Sequence, residues 1–126
     1  MATDLVEIDP ERPEEGAIER ATACLRRGRI VAIPTDALYS LVCDPLNLHA
    51  VGLIFAAKGR EASRSLPLLV SDVLMAEELA KEPSPRFYLL ARRFWPGPLT
   101  IIVRASSRIP LKVTGNTGRL AMRQAN

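Results

Sequence analysis

Apolar positions along the chain switch between helical spacing and short continuous runs. Residues 13–27 place Ile18 and Leu25 on one side at helical spacing, which predicts a first helix. The apolar run 30–33 that follows is closed by Pro34, which predicts a strand ending at a turn. A second helix is expected after this turn, because the chain returns to helical spacing there.

Signals for the ends of elements continue this alternation. Asn47 is a typical N-terminal cap for the second helix, and Gly59 is a residue typically found just after the C-terminal end of a helix. Further elements are predicted in chain order: a strand in 66–70, a short helix capped by Ser71 and Asp72, a helix opened by Ser84 and Pro85, a strand in 99–103 and the start of a strand at 120–122. Strands separated by helices are typical of an α/β fold. We expect an acidic peripheral arm over 1–12 and one domain over 13–126.

Length and composition agree with one ordinary globular domain. The chain has 126 residues, of which 48% are hydrophobic and 25% charged. No apolar run approaches the roughly 20 residues that cross a bilayer, and the N-terminus is acidic, so a cytoplasmic protein without a membrane segment is expected. Cys24 and Cys43 are too few for a disulfide framework and are predicted to be buried, reduced thiols.

Charge is distributed unevenly along the chain. Residues 1–20 hold seven acids against two arginines, whereas no acid follows Glu82. Eight cations do follow it: Arg86, Arg92, Arg93, Arg104, Arg108, Lys112, Arg119 and Arg123. A field of one sign favours a polyanion or a phosphorylated ligand. The alternative is that acids in a further C-terminal part neutralise these groups.

Common catalytic and nucleotide-binding motifs are absent from the sequence. It contains no Gly-x-Gly-x-x-Gly, no Walker-type Gly-Lys-Ser/Thr, no His-Glu-x-x-His and no Gly-x-Ser-x-Gly. The only histidine, His49, lacks a second candidate ligand nearby and is expected at the surface. We therefore assign no nucleophile, no general base and no metal site.

Three segments could still carry chemistry. Residues 34–39 follow a strand directly and present a hydroxyl, a carboxylate and a phenol, although a capped turn would use the same residues. Lys58, Arg60 and Arg64 end a helix and enter a loop, where they could converge on phosphates or simply complement the helix C-terminus. Residues 94–100 combine two large aromatics with a rigid turn, and this favours a core element over a binding site.

Five segments resemble, in order and approximate spacing, the YrdC-like family of threonylcarbamoyl-adenylate synthases. They are 29–41, 54–60, 66–70, 94–100 and 119–123, and the resemblance extends from about residue 17 to residue 123. It implies an α/β, YrdC/RibB-like fold, in which helices cover an open, twisted mixed sheet. It also implies an enzyme that combines L-threonine, bicarbonate and ATP with Mg²⁺ into threonylcarbamoyl-AMP and pyrophosphate.

The resemblance also implies residue roles and partners. Thr35 and Tyr39 would line the threonine pocket, and Arg123 would close on the substrate carboxylate. Lys58 and Arg60 would hold the ATP phosphates, and Arg64 keeps the charge of a family lysine. The product would pass to threonylcarbamoyl-transferase proteins that modify tRNA, and some family members bind RNA, so tRNA or double-stranded RNA is an expected partner.

Departures from the family pattern leave alternatives open. Ala37 and Ser40 replace a threonine and a glycine, and Arg119 stands where a threonine is frequent. The family domain continues beyond the position of Arg123, so we expect this domain to be incomplete at its C-terminus, with an uncovered sheet edge that favours a homodimer. A non-catalytic RNA- or nucleotide-binding module, or a carbamoyl-adenylating relative with another substrate, therefore remain alternatives to the synthase.

Overall fold

The computed structural model describes residues 3–61 and 63–126. Helices and strands are interspersed along these residues, which confirms the predicted α/β class. In chain order the elements are α1 (Glu15–Arg26), β1 (Val31–Ile33), β2 (Ser40–Val42), α2 (Leu48–Lys58), β3 (Leu68–Leu69), α3 (Val73–Leu79), α4 (Pro85–Phe94), β4 (Ile101–Arg104), α5 (Leu111–Thr114) and β5 (Arg119–Arg123).

The strands of the described residues form two sheets. β1 and β2 are an antiparallel pair, with Val31 opposite Val42. The second sheet is mixed and has the order β3-β5-β4, because β5 is parallel to β3 and antiparallel to β4. Met122 in its central strand lies opposite both Leu68 and Ile101. The last strand in the chain therefore holds the first and second strands of this sheet together.

The core lies on one face of the three-stranded sheet. Alternate residues of β5, Leu120 and Met122, are fully buried, as expected for a strand with one covered face. They belong to a cluster to which four helices contribute, including Val51, Phe55, Ala76, Phe87, Ala91 and Val113. The other face of β4 and β5 is open to solvent, where Ile102 is 67% exposed.

Polar caps begin three of the helices where the sequence predicts them. Asn47 Oδ1 accepts a hydrogen bond from the Ala50 N–H at 3.0 Å, and Asp72 Oδ1 accepts one from the Met75 N–H at 2.8 Å. Ser84 Oγ accepts a longer bond, 3.4 Å, from the Phe87 N–H. Each such cap stabilises its helix by about 1 kcal/mol.

Several expectations differ from the structure. β2 and α5 were not predicted, and α1 has no buried residue, with Ile18 52% exposed. Cys24 and Cys43 are free thiols, as expected, but both are half-buried rather than buried. α1 packs against β1 of the small first sheet, and neither strand of this sheet contains a fully buried residue.

The N-terminal residues of the described chain form neither helix nor strand up to residue 14. They are joined to α1 by an exposed ion pair, in which Arg20 Nη2 donates to Asp4 Oδ2 at 3.3 Å. The division into an arm over 1–12 and a domain over 13–126 stays a prediction. In the described part of the chain, no helix combines the length and the apolar character that crossing a membrane requires.

Candidate functional site

The ends of β3 and β5 meet at one edge of the three-stranded sheet. Leu69 lies opposite Arg123 in the parallel pair, and the Val70 N–H donates to the Arg123 carbonyl at 3.0 Å. Because the two strands are parallel, the segments that follow them leave from the same edge. The turn after β1 also reaches this edge, since its side chains contact the end of β5.

Thr35 shapes that turn through its hydroxyl group. Thr35 Oγ1 accepts hydrogen bonds from the N–H groups of Ala37 and Leu38, at 3.2 and 3.1 Å, and donates to the Leu38 carbonyl at 2.7 Å. The Thr35 N–H also donates to that carbonyl, at 3.2 Å. A capped turn is therefore present, but its cap is the hydroxyl of Thr35 and not the carboxylate of Asp36, which accepts from distant residues. The hydroxyl proton of Thr35 is used within the turn.

Asp36 and Arg123 form an ion pair between this turn and the end of β5. Arg123 Nη1 donates to Asp36 Oδ1, and Arg123 Nη2 lies 3.5 Å from Thr35 Oγ1. The Asn126 N–H donates to the second carboxylate oxygen, Oδ2, at 3.1 Å. The two charged side chains are largely covered, with 13% of Arg123 and 16% of Asp36 exposed.

This pairing determines the charge state of the carboxyl group. The hydrogen bond from Arg123, and after it the one from the Asn126 N–H, lower the pKa of Asp36 below its ordinary value of 3.8. Asp36 is thus an anion at neutral pH, and it faces a guanidinium that is always charged. From the sequence, this carboxylate is expected at a strand end, but no role in binding is assigned to it.

Tyr39 lies at the end of the same turn but outside the cluster. Its side chain is 79% exposed, and the preceding Leu38 is 77% exposed. The structure therefore brings Thr35 and Arg123 together, adds Asp36 to them, and leaves the Tyr39 phenol in solvent close by in the chain.

The predicted cationic loop is present at the end of α2. Gly59 has φ 59°, a left-handed conformation that ends the helix after Lys58 at little cost for glycine. Arg60 then folds back, and its Nη2 donates to the Ser65 carbonyl at 2.8 Å. Its Nε is buried and has no hydrogen-bond partner among residues 3–61 and 63–126. Lys58 and Arg64 are exposed.

The loop is held in place by α5, which the sequence did not predict. The Leu66 N–H donates to the Val113 carbonyl at 2.7 Å. The backbone of Gly115 lies so close that a Cβ there would collide with the Ser63 carbonyl oxygen. The position of the cationic loop thus depends on a short helix near the other end of the chain.

The two groups of candidate residues are separate in the structure. No hydrogen bond or ion pair within the described chain joins Lys58, Arg60 or Arg64 to the cluster of Thr35, Asp36 and Arg123. The connection between them is β3, which follows the cationic loop and runs beside the end of β5. Residues 65–69 therefore connect the loop to the strand end where Arg123 lies.

The aromatic segment 94–100 is a structural element. Trp95 is 8% exposed, and its Nε1 donates to the Leu99 carbonyl at 2.8 Å. The Gly97 N–H donates to the Gln124 carbonyl at 2.8 Å, which fixes the chain just after Arg123. The core-and-turn interpretation is supported, and the segment contributes indirectly by supporting the end of β5.

Metal-ligating side chains do not gather in the part of the chain that the structure describes. It holds no group of three or more His, Cys, Asp or Glu residues that could bind a metal ion. His49 is exposed near the start of α2, as expected.

Comparison with known proteins gives concordant sequence matches. The profile of the family described as Telomere recombination, which groups Sua5, YciO and YrdC, matches residues 23–126. A threonylcarbamoyl-AMP synthase of Pyrococcus abyssi is 41% identical over 113 residues, which cover 90% of this chain and 33% of that protein. One from Thiobacillus denitrificans is 38% identical over 109 residues, covering 86% of this chain and 58% of that protein. The chain thus spans 33% to 58% of these relatives.

Solved structures give the same result at the level of the fold. The crystal structure of P. abyssi Sua5 complexed with L-threonine superimposes with a TM-score of 0.88 at 39% identity, over 90% of this chain and 34% of that one. Escherichia coli YciO superimposes with a TM-score of 0.83 at 22% identity, over 94% of this chain and 58% of that one, a likeness of fold alone. With the profile match over most of its length, this chain belongs to the Sua5/YciO/YrdC family.

Proposed function

We propose that this chain carries the threonine- and ATP-binding part of a threonylcarbamoyl-AMP synthase. Such an enzyme combines L-threonine, bicarbonate and ATP into threonylcarbamoyl-AMP and pyrophosphate. The observation that carries the proposal is the cluster of Thr35, Asp36 and Arg123 at the meeting strand ends, in a fold shared with a Sua5 structure that holds L-threonine. Ligands of α/β sheets are commonly bound at such strand ends.

On the threonine side, Arg123 would receive the substrate carboxylate. A guanidinium has five N–H donors, and the contacts to Asp36 and Thr35 use only two of them. The remaining donors can form the short, charge-assisted hydrogen bonds that arginine makes with carboxylates. Thr35 would form the wall of the pocket through the turn that it shapes, and the exposed Tyr39 would close on the substrate from solvent.

On the ATP side, Lys58, Arg60 and Arg64 would bind the phosphates and stabilise the charge that develops on the departing pyrophosphate. The buried Nε of Arg60, which has no acceptor in the part of the chain that the structure describes, supports this role, because a buried donor without an acceptor costs free energy that a phosphate oxygen would recover. Adenylation depends on positioning and electrostatic stabilisation, so it requires no nucleophilic side chain. Mg²⁺ would enter as part of the ATP substrate.

Isothermal titration of the folded 126-residue chain with ATP and Mg²⁺ tests this proposal, with and without threonine and bicarbonate. We expect ATP binding that threonine strengthens. A chain shown by circular dichroism to be folded, but binding neither ligand, would refute the proposal. Replacing threonine with other amino acids in the same titration tests the alternative that this site serves a carbamoyl-adenylating relative with a different substrate.

We further propose that the product serves tRNA modification in the cytoplasm, through threonylcarbamoyl-transferase partners.

RNA binding by the chain itself is a second candidate function. It is supported by seven of the eight cations after Glu82, which are exposed and make no ion pair with any described acid: Arg86, Arg92, Arg93, Arg104, Arg108, Lys112 and Arg119. Self-association into a homodimer stays a prediction, which light scattering would test.

A further inference from the structure

The backbone of Arg123 is fixed on both sides. Its carbonyl accepts a hydrogen bond from the Val70 N–H at 3.0 Å, and the next carbonyl, that of Gln124, accepts one from the Gly97 N–H at 2.8 Å. Residues 119–122, just before it, pair with β4 in the antiparallel ladder. The direction in which the guanidinium points therefore depends on the rotatable bonds of the side chain alone.

A long arginine side chain needs a partner to keep one orientation, because ordering it costs conformational entropy. Asp36 supplies that partner through Oδ1, while the contact of Arg123 with Thr35 is long at 3.5 Å. The carboxylate of Asp36 is itself held, since Oδ2 accepts the Asn126 N–H at 3.1 Å. Both oxygens of one carboxylate thus bind the chain at the end of β5.

The contact leaves the guanidinium free to bind a second anion. Only one carboxylate oxygen faces Arg123, so the pair is not the two-fold fork that would occupy a whole edge of the guanidinium. Residues 3–61 and 63–126 engage two of the five N–H donors, and the others are available to a ligand. An arginine that is oriented in advance and still has free donors binds a carboxylate at a lower entropic cost.

We propose that Asp36 is a positioning residue, which holds the Arg123 guanidinium in the orientation that receives the carboxylate of the amino-acid substrate. The inference rests on the proposed function and adds to it a residue without an assigned role. The competing explanation is a purely structural clasp between the turn after β1 and the end of β5. A clasp would stabilise the fold without affecting one ligand more than the other.

Titration of threonine into the wild-type chain, Asp36→Ala and Asp36→Glu separates these explanations. Without Asp36, threonine binding has to order one long side chain itself, and this cost corresponds to about a two- to tenfold weaker threonine affinity for Asp36→Ala. We expect this loss with unchanged affinity for ATP and Mg²⁺, and partial recovery in Asp36→Glu. Asp9→Asn is the control, because Asp9 accepts hydrogen bonds from Glu11 and Arg12 in an exposed turn of the N-terminal segment.

The orientation of Arg123 can be observed directly from its Nε–H signal in NMR spectra, assigned by its loss in Arg123→Lys. We expect a restrained, slowly exchanging signal in the wild-type chain and an averaged one in Asp36→Ala. Threonine affinity that is unchanged in Asp36→Ala, or that falls together with ATP affinity, would overturn the positioning role. A folded wild-type chain that binds no threonine would instead refute the proposed function. In that case the NMR measurement still tests the positioning role, because an Nε–H signal of Arg123 that is unaltered in Asp36→Ala would overturn it.

Discussion

Lys58 and Arg60 carry the same charge but have different surroundings. Lys58 is exposed in the last turn of α2, where a cation complements the carbonyl end of the helix. Arg60 is half-buried and donates to the Ser65 carbonyl, so it also closes the loop that contains it. At the scale of single residues, one cation is free to act on a ligand and the other has a structural task as well.

This difference gives a prediction for the two alanine variants. Lys58→Ala should weaken ATP binding by about 1.5 to 3 kcal/mol, the range for hydrogen bonds to charged groups, with little change in stability. Arg60→Ala should weaken ATP binding and also lower the free energy of unfolding by about 1 kcal/mol, because the Ser65 carbonyl loses its donor. ATP titration and urea unfolding measure the two effects. Unchanged ATP affinity in Lys58→Ala, or failure of that variant to fold, would contradict the assigned role.

The ion pair of Asp36 and Arg123 gives a prediction on acid stability. The pKa of Asp36 is lower in the folded chain than its ordinary value of 3.8, so the unfolded chain binds more protons between the two values. The stabilisation is fully present above that ordinary value and is lost as the pH falls through the folded pKa. Asp36→Asn should therefore lose less stability than the wild-type chain between about pH 6 and about pH 2, measured by urea unfolding.

Arg123→Gln is the matched test of this acid prediction. It removes the main cause of the lowered pKa and leaves the carboxyl group in place. Its acid-side loss of stability should resemble that of Asp36→Asn, and the double variant should lose no more than either single one, because the residues act as a pair. An acid profile identical in all four proteins would show that the pair does not contribute to stability.

At the scale of elements, the sequence predicts what local residues determine. Asn47 and Gly59 lie where a helix begins and ends, and the structure confirms both. β2 and α5 were missed because they have three and four residues and depend on distant partners. β2 exists through pairing with β1, and α5 through burial of Val113 and Thr114.

The same limit applies to the candidate site. Thr35, Lys58, Arg60 and Arg123 could be selected from sequence because their segments resemble a family, yet nothing local relates Asp36 to Arg123. They are 87 positions apart and meet because the turn between β1 and β2 contacts the end of β5 in the other sheet, a long-range contact that sequence patterns do not specify. The residues of the site were therefore more predictable than their contacts.

Gly115 provides a prediction that concerns a whole element, the cationic loop. It has φ 61°, and a Cβ there would collide with the backbone of Ser63. Gly118 has a similar φ of 68° but open space around it, so it is a matched control. Gly118→Ala should lower the free energy of unfolding by about 1 to 2 kcal/mol, the cost of a left-handed conformation. Gly115→Ala should lower it by at least about 1 kcal/mol more, the usual cost of overpacking, and should also weaken ATP binding.

Urea unfolding and ATP titration of the two glycine variants distinguish the causes. A loss of ATP affinity confined to Gly115→Ala would indicate that α5 positions the loop through this close approach. If the two variants lost the same stability and the same ATP affinity, only the left-handed backbone conformation would matter. The prediction that the loop depends on α5 would then be wrong.

At the scale of the whole molecule, seven of the eight cations after Glu82 form no ion pair with an acid of the described chain. The ion pairs there are Arg20 with Asp4 and Arg123 with Asp36. Arg104 and Arg119 lie directly opposite each other in β4 and β5, and both are exposed on the open face of the sheet beside Ile102. The open face therefore concentrates positive charge. This arrangement lowers the stability of the fold, because like charges directly opposite each other destabilise a strand pair.

This arrangement predicts RNA binding that depends steeply on salt. Phosphate contacts release counterions, so the affinity for duplex RNA, measured by fluorescence anisotropy, should fall linearly with salt on a double logarithmic scale. Replacing Arg104 and Arg119 together with glutamine should weaken binding and reduce the slope by about 1 to 2, roughly one unit for each phosphate contact. It should not destabilise the fold, because it relieves a repulsion, and a loss of binding could not then be attributed to unfolding.

Arg86 and Arg92, exposed on α4, form the matched double replacement with the same change of charge. If the two double variants lost the same RNA affinity, the RNA contacts would be spread over the surface of the molecule and not concentrated on the open face of the sheet. Absent or salt-insensitive binding by the wild-type chain would eliminate the RNA-binding function.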